Sequence, residues 1–354
     1  MTFHNDDRSL LPTDPLQQIA LNAMDSADDH ASTYYIYRER NDHMLITTTQ
    51  QPKTQKERRK KQKEDPSSIQ DPNGYFVHRP YRSFARPPRT LRSGGSKDGR
   101  TICLIHSYGG WRRWQLQFGR DLGDAIDPRG VVQWQRRTNA DNSVKTDADL
   151  KGYRVRSWRL WGESGKAYHR EVNSKRKQGG RTEDDPTAHQ PLRATEACQL
   201  TWSAPFSKRT REYAFSYEGV DFVWKGTKDL PADCKSAIRW MPVHHLKLVA
   251  ILPAKVADET QEVVVAYFVC SAEEDEYGTL VVEDSRICEV FGIDEMPEDM
   301  ALARAKGARP ARVHDTIMAT AVCMIIGEWQ KRKTAVSVFF ALLFAGALSP
   351  ANTH

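Results

Sequence analysis

No tryptophan precedes Trp111, and all nine lie between Trp111 and Trp329. The first hundred residues therefore lack the bulkiest core side chain. In its place they carry the basic run Lys53-Thr-Gln-Lys-Glu-Arg-Arg-Lys-Lys-Gln-Lys63 and a stretch rich in Pro, Arg, Gly and Ser from Arg79 to Gly95. Such composition does not offset the ordering entropy of a fold, and residues 1–98 are predicted to be a disordered tail. Close cysteine pairs are also missing. Cys103, Cys198, Cys234, Cys270, Cys288 and Cys323 are far apart, which excludes zinc-ribbon and thioredoxin spacings. The polar, acidic start has no secretory pattern, so a reducing cytoplasmic or nuclear compartment is expected. A mean hydropathy of −0.66 excludes a multi-span membrane protein.

Charge is present but uneven. Residues 1–100 hold 17 Lys and Arg against 13 Asp and Glu, residues 101–180 hold 16 against 8, and residues 181–354 hold 19 against 25. The middle of the chain is strongly basic and the last part acidic, a distribution that would orient a protein at an anionic surface.

From Thr101 onward, short strand-like segments alternate with turn residues. In Tyr213-Ala-Phe-Ser-Tyr217 and Val220-Asp-Phe-Val-Trp224 the large apolar residues recur every second position, the period of a half-buried strand. Glu218-Gly219 between them predicts a tight hairpin turn with Gly219 at positive φ. Further strands are predicted at Cys103–His106, Trp114–Phe118, Val131–Arg136, Tyr153–Trp161, Ala167–Val172, Gln199–Trp202 and Leu246–Leu252. Val263–Cys270 and Thr279–Glu283 form a second hairpin, and 173–194 reads as a long exposed loop. Residues 299–308 read as a short helix or a loop, which Pro310 would stop. Val313–Trp329 is apolar on nearly every side for about four turns, so it must be surrounded. An antiparallel β domain ending in such a helix has one economical arrangement, a closed barrel around it.

That arrangement resembles the tubby C-terminal-like superfamily, which includes LURP-one-related proteins and phospholipid scramblases. The resemblance rests on Gly110-Trp-Arg-Arg-Trp-Gln-Leu-Gln-Phe-Gly119, Phe222-Val-Trp-Lys-Gly-Thr227, the strand His245–Ile251, the hairpin Val263–Glu283 and the helix Val313–Trp329 with its tail to Arg332. It implies a mainly β fold at residues 99–333, a closed antiparallel barrel around the helix 313–329. It also implies a non-enzymatic binding or adaptor module, with anionic phospholipid headgroups or a protein as partner. Residues 334–354 form an apolar segment preceded by Lys331-Arg-Lys333, a candidate tail anchor.

Among chemical motifs, Gly162-Glu-Ser-Gly-Lys166 lacks the first Gly and the final Ser or Thr of a phosphate loop. His106-Ser-Tyr-Gly-Gly110 has no identifiable partner acid, and His244-His245 has no ligand at metal spacing. No catalytic residue, metal site or cofactor is therefore assigned, and a hydrolase stays as an alternative without named residues. The binding candidates are basic. Arg112, Arg113, Arg136, Arg137, Arg154, Arg156 and Arg159 would form a cationic patch if the predicted strands share a face, able to hold phosphate groups in forked pairs. Lys53, Arg58, Arg59, Lys60, Lys61 and Lys63 form a candidate nuclear-import tract, through which a nuclear nucleic-acid-associated role is the alternative function.

Overall fold

The computed structural model describes residues 31–65, 71–79, 88–108, 113–123, 147–150, 174, 193–203, 212–226, 245–253, 260–271, 273, 275–297 and 299–347. Their sheet is one closed antiparallel barrel of twelve strands, each paired with its sequence neighbour. The strands are β1 (Ala31–Arg38), β2 (Met44–Thr47), β3 (Tyr75–His78), β4 (Arg89–Ser93), β5 (Thr101–Tyr108), β6 (Arg113–Phe118), β7 (Glu196–Trp202), β8 (Glu212–Tyr217), β9 (Val220–Gly226), β10 (His245–Pro253), β11 (Thr260–Cys270) and β12 (Glu276–Glu283). Among the described residues the α-helices are α1 (Gln55–Glu64), α2 (Asp284–Phe291), α3 (Met300–Lys306) and α4 (Arg309–Ala347).

The barrel around a C-terminal apolar helix is as expected from the sequence, but its boundary is not. Residues 31–98, assigned to a disordered tail, supply β1 to β4 and α1. The reason is closure. Strands β5 to β12 alone would leave two open edges, and β4 pairs with β5 while β1 pairs with β12 to seal both. The inward residues of these four strands are Tyr34, Ile36, Met44, Ile46, Tyr75, Val77 and Leu91, all in the core. Tyrosine and branched aliphatics fill the wall here in place of tryptophan.

The Tyr217–Val220 hairpin turns through Glu218 at φ 47 and Gly219 at φ 81, two positive values that match the right-handed twist of the strands. Gly278, at φ 140, is required for a second reason. A Cβ there would lie 2.0 Å from the Val269 carbonyl oxygen across the β11–β12 ladder. The predicted strands at 131–136, 153–161 and 167–172, and nearly all of the 173–194 loop, lie outside the described residues.

Every residue of α4 from Val313 to Glu328 is buried, a rise of about 23 Å through the lumen. The predicted helix 313–329 is thus the central portion of a longer one. Pro310 does not stop a helix but stands in the first turn of α4, where its missing N–H has no role. Gly307, at φ 67, is what closes α3. Lys331-Arg-Lys333 does not interrupt α4, which runs on to Ala347. Among the described residues no helix is long and apolar enough to cross a membrane.

Candidate anion-binding surface

The basic run of the N-terminal region folds as α1 and docks on the outside of the barrel. Thr54 caps it, accepting from the Glu57 N–H at 3.3 Å and donating its hydroxyl to Glu57 Oε2 at 2.8 Å. The Gln55 N–H reaches Asp275 Oδ2 at 3.0 Å, tying the first turn to the β11–β12 connection. Arg58 is the anchor, with only 2% of its surface exposed. Its Nε donates to Glu39 at 2.8 Å, Nη1 to the carbonyls of Pro52 at 3.0 Å and Lys53 at 2.8 Å, and Nη2 to the Arg38 carbonyl at 2.7 Å. The guanidinium also lies 4.8 Å from the centre of the Tyr37 ring. A buried arginine with this many acceptors holds the helix in place and is not itself available to a ligand.

The remaining cations divide by role. Lys53 pairs with Glu273 at 3.6 Å and Lys61 donates to Gln51 Oε1 at 3.0 Å, so both lean on the barrel. Lys56, Arg59, Lys60 and Lys63 are exposed, and their three- and four-residue spacing places them on one stripe of α1. Lys60 has only a loose 3.9 Å pair with Glu64. Beside this stripe lies a cleft of about 440 Å³ between α1, the Arg40–Asp42 turn and the loop that joins β4 to β5. Arg40, Arg59 and Lys97 line it together with the carboxylates of Glu39 and Asp98, and Leu45 and Phe76 from the outer wall complete part of the lining.

Of the cationic patch predicted in the basic middle of the chain, only Arg113 is described. It is exposed on β6 and donates to Gln199. Arg112, Arg136, Arg137, Arg154, Arg156 and Arg159 lie outside the described residues. His106 is buried on the outer wall, with Nε2 2.9 Å from Gln117 Oε1, an amide partner that suits a structural imidazole. His245 sits at the start of β10, where burial lowers its pKa, and its ring faces Tyr267. His244 and the 162–166 segment lie outside the described residues. No group of three or more metal-ligating side chains occurs among the described residues.

A second polar cluster lies inside the barrel and was not visible in the sequence. Tyr34 from β1, Tyr75 from β3, His314 and Asp315 from α4, and Arg304 from α3 meet where α4 enters the lumen. The Tyr75 hydroxyl donates to Asp315 Oδ1 at 2.8 Å and lies 2.9 Å from His314 Nδ1. The hydroxyl has one proton, so His314 Nδ1 carries the other and donates to the Tyr75 oxygen. His314 Nε2 is then the acceptor for the Tyr34 hydroxyl at 3.3 Å. Arg304 donates through Nε to Asp315 at 2.8 Å and through Nη2 to the Tyr75 oxygen, while Nη1 has no partner. Burial, then Arg304, pulls the His314 pKa down to about 3, so its ring is neutral. This cluster fixes the depth and rotation of α4 in the barrel. The spacing of its members, from residue 34 to residue 315, left no local pattern to read.

Compared with protein-family models, with curated proteins and with solved structures, the chain matches none of them.

Proposed function

We propose that this protein is a non-enzymatic barrel module that binds anionic phospholipid headgroups at a membrane surface, as its resemblance to tubby-like proteins implies. The observation that carries the proposal is the division of labour on α1. Arg58 is consumed in docking, while Lys56, Arg59, Lys60 and Lys63 are exposed together beside a cleft whose lining includes Arg40 and Lys97. A rigidly mounted cationic stripe loses less side-chain and backbone freedom on contact with phosphates than a disordered tail would. Its attraction to an anionic leaflet is on the order of 1 kcal/mol per cation near the surface and fades within a Debye length. The closed twelve-strand barrel around a helix supports the tubby-like reading of the fold.

Sedimentation with phosphatidylserine vesicles at low and high salt tests the proposal. The quadruple variant Lys56→Glu, Arg59→Glu, Lys60→Glu and Lys63→Glu is expected to lose salt-sensitive binding while its circular dichroism and melting temperature change little. Unchanged vesicle binding by that variant removes α1 from the site. Loss of RNA binding with vesicle binding retained would instead favour the nucleic-acid alternative. Arg58→Ala serves as a control on mounting. Faster amide exchange confined to α1, with weaker vesicle binding, is expected from a helix that keeps its exposed charges but loses its anchor.

A further inference from the structure

Four neighbouring strands extend their inward-facing rows to the rim where α4 leaves the barrel. Ile36 on β1, Met44 on β2, Val77 on β3 and Leu91 on β4 all belong to the core. Two residues further toward the rim stand Arg38 and Arg89, on the same face of β1 and β4, Arg79 one residue past β3, and Asp42 in the turn before β2. The ladders that pair Val77 with Met44 and His78 with Thr90 bring Asp42 beside Arg79 and Arg79 beside Arg89 when continued outward. Arg79 Nη1 is 2.5 Å from Asp42 Oδ2, and Arg38 Nη2 is 3.3 Å from Asp42 Oδ1. Arg38 lies over the Trp329 ring, 5.0 Å from its centre, and Tyr277 meets the same ring edge-on at 5.7 Å.

Asp42 is thus shared by two arginines. Arg89 is the third cation, half-buried, and its Nε is shut off from solvent with no hydrogen-bond partner. Among the described residues no carboxylate pairs with it. Glu328, one residue before Trp329, turns to the opposite wall, where the Tyr213 hydroxyl donates to it at 2.5 Å. A donor shut off from solvent without an acceptor costs about 1–3 kcal/mol, so the bare Arg89 Nε calls for an explanation. Burial, and next Arg79, pull the Arg89 pKa down to about 10 against the opposing influence of Tyr277 and Asp42. Burial pushes the Tyr277 hydroxyl up to about 12, so it stays a neutral donor at physiological pH.

We propose that Arg38, Arg79, Arg89 and the Tyr277 hydroxyl form a binding site for one phosphate monoester group at this rim, with Arg89 supplying an unshared forked pair of donors. Among the described residues three guanidinium groups meet one carboxylate here, an excess of positive charge that suits a phosphate monoester. The site is separate from α1 and does not depend on its reading. The phosphate could belong to a lipid headgroup or to a soluble phosphate ester.

Thermal unfolding of the full chain, titrated with inorganic phosphate against sodium chloride at matched ionic strength, tests the site. Phosphate is expected to raise the melting temperature beyond the chloride control, as a ligand of the native state does. Arg89→Met is expected to abolish the phosphate response and to raise the melting temperature without phosphate, since it removes a shielded donor that has no acceptor. Arg38→Gln, which spares the Arg89 fork, is expected to raise the half-maximal phosphate concentration about tenfold, equivalent to about 1.4 kcal/mol. The surface control Arg286→Gln, on α2, leaves the response unchanged. Equal stabilisation by chloride, a response that survives Arg89→Met, or a lower starting melting temperature in that variant would each overturn the site. Vesicles containing phosphatidic acid, tested with the four α1 charges reversed so that only the rim can bind, separate the sources. Joint loss of vesicle binding and phosphate response in Arg89→Met places the monoester on a lipid, whereas vesicle binding retained with the response lost assigns a soluble ester.

Discussion

Where α4 enters the barrel, Arg304 donates to Asp315 and Tyr75, and His314 is held neutral between two tyrosines. Where α4 leaves, Arg38 and Arg79 share Asp42 while Arg89 has no partner at Nε. Both ends bury arginine against aromatic rings, with Arg304 4.3 Å from the centre of Tyr75 and Arg38 5.0 Å from that of Trp329. The difference is in completeness. At the first end the protein provides nearly all the acceptors its own cation needs, and such a network specifies position. At the second end it provides too few, and such a cluster is shaped for something that arrives.

The sharpest way to break this contrast is to make the first end resemble the second. Asp315→Ala leaves Arg304, whose side chain is only 7% exposed, without its carboxylate. Burial works against the Arg304 charge, and Tyr75 and Asp315 outweigh it to raise its pKa. Removing one partner of a buried pair costs about 3–5 kcal/mol. Urea unfolding should show a loss of that size. A loss under about 1 kcal/mol would mean that the polar cluster does not hold α4.

Proton uptake separates the ends by a smaller margin. The His314 pKa is lowered to about 3 from an ordinary 6.5 by burial and then by Arg304. As pH falls through 6.5, the unfolded chain binds a proton that the folded barrel does not accept until about 3. Stability therefore falls across that window, by up to about 1.4 kcal/mol per pH unit for one group. His78 has its pKa lowered to about 2 by burial, with His43, Arg92 and Lys97 adding to it, and contributes with the same sign. Asp315 acts oppositely. Burial raises its pKa against Arg304 and the Tyr75 hydroxyl, so the folded state binds that proton first and gains stability as pH falls toward 3.8. Urea midpoints measured from neutral to mildly acidic pH should decline, and His314→Gln should flatten the decline. An unchanged slope in that variant would show that His314 does not resist protonation.

The parts of this architecture that could be read in the sequence were those with local repeats. Alternation in Tyr213–Trp224 and Val263–Glu283 exposed the hairpins, and the all-round apolar run Val313–Trp329 required an enclosing wall. Strands β1 to β4 obey the same alternation in Tyr34 and Ile36, or Tyr75 and Val77. β2, β3 and β4 were obscured because they are only 4, 4 and 5 residues long and lie beside basic or Pro-rich sequence, and β1, at 8 residues, was lost in averaging over the first hundred residues. Their necessity becomes apparent only from the open edges of β5 and β12, a property of the whole sheet. The candidate sites were less legible. The basic run was conspicuous, but nothing local distinguished Arg58 as the residue that would be buried. Arg38, Arg79 and Arg89 come from three strands, and their convergence depends on ladder register.

The smallest expected effect concerns the exit rim without any ligand. Arg38→Gln removes one Asp42 contact and the contact with Trp329, but Arg79 still neutralises the carboxylate and the Arg38 side chain is 24% exposed. Partly exposed cation–aromatic contacts and ion pairs each contribute up to about 1 kcal/mol. The expected loss in phosphate-free buffer is therefore about 1 kcal/mol or less, several times smaller than for Asp315→Ala, measured by the same urea unfolding. If the two losses proved equal, the exit rim would be as structurally committed as the first end. Its arginines would then be holding α4, and the contrast between a nearly completed network and an incomplete one would fail.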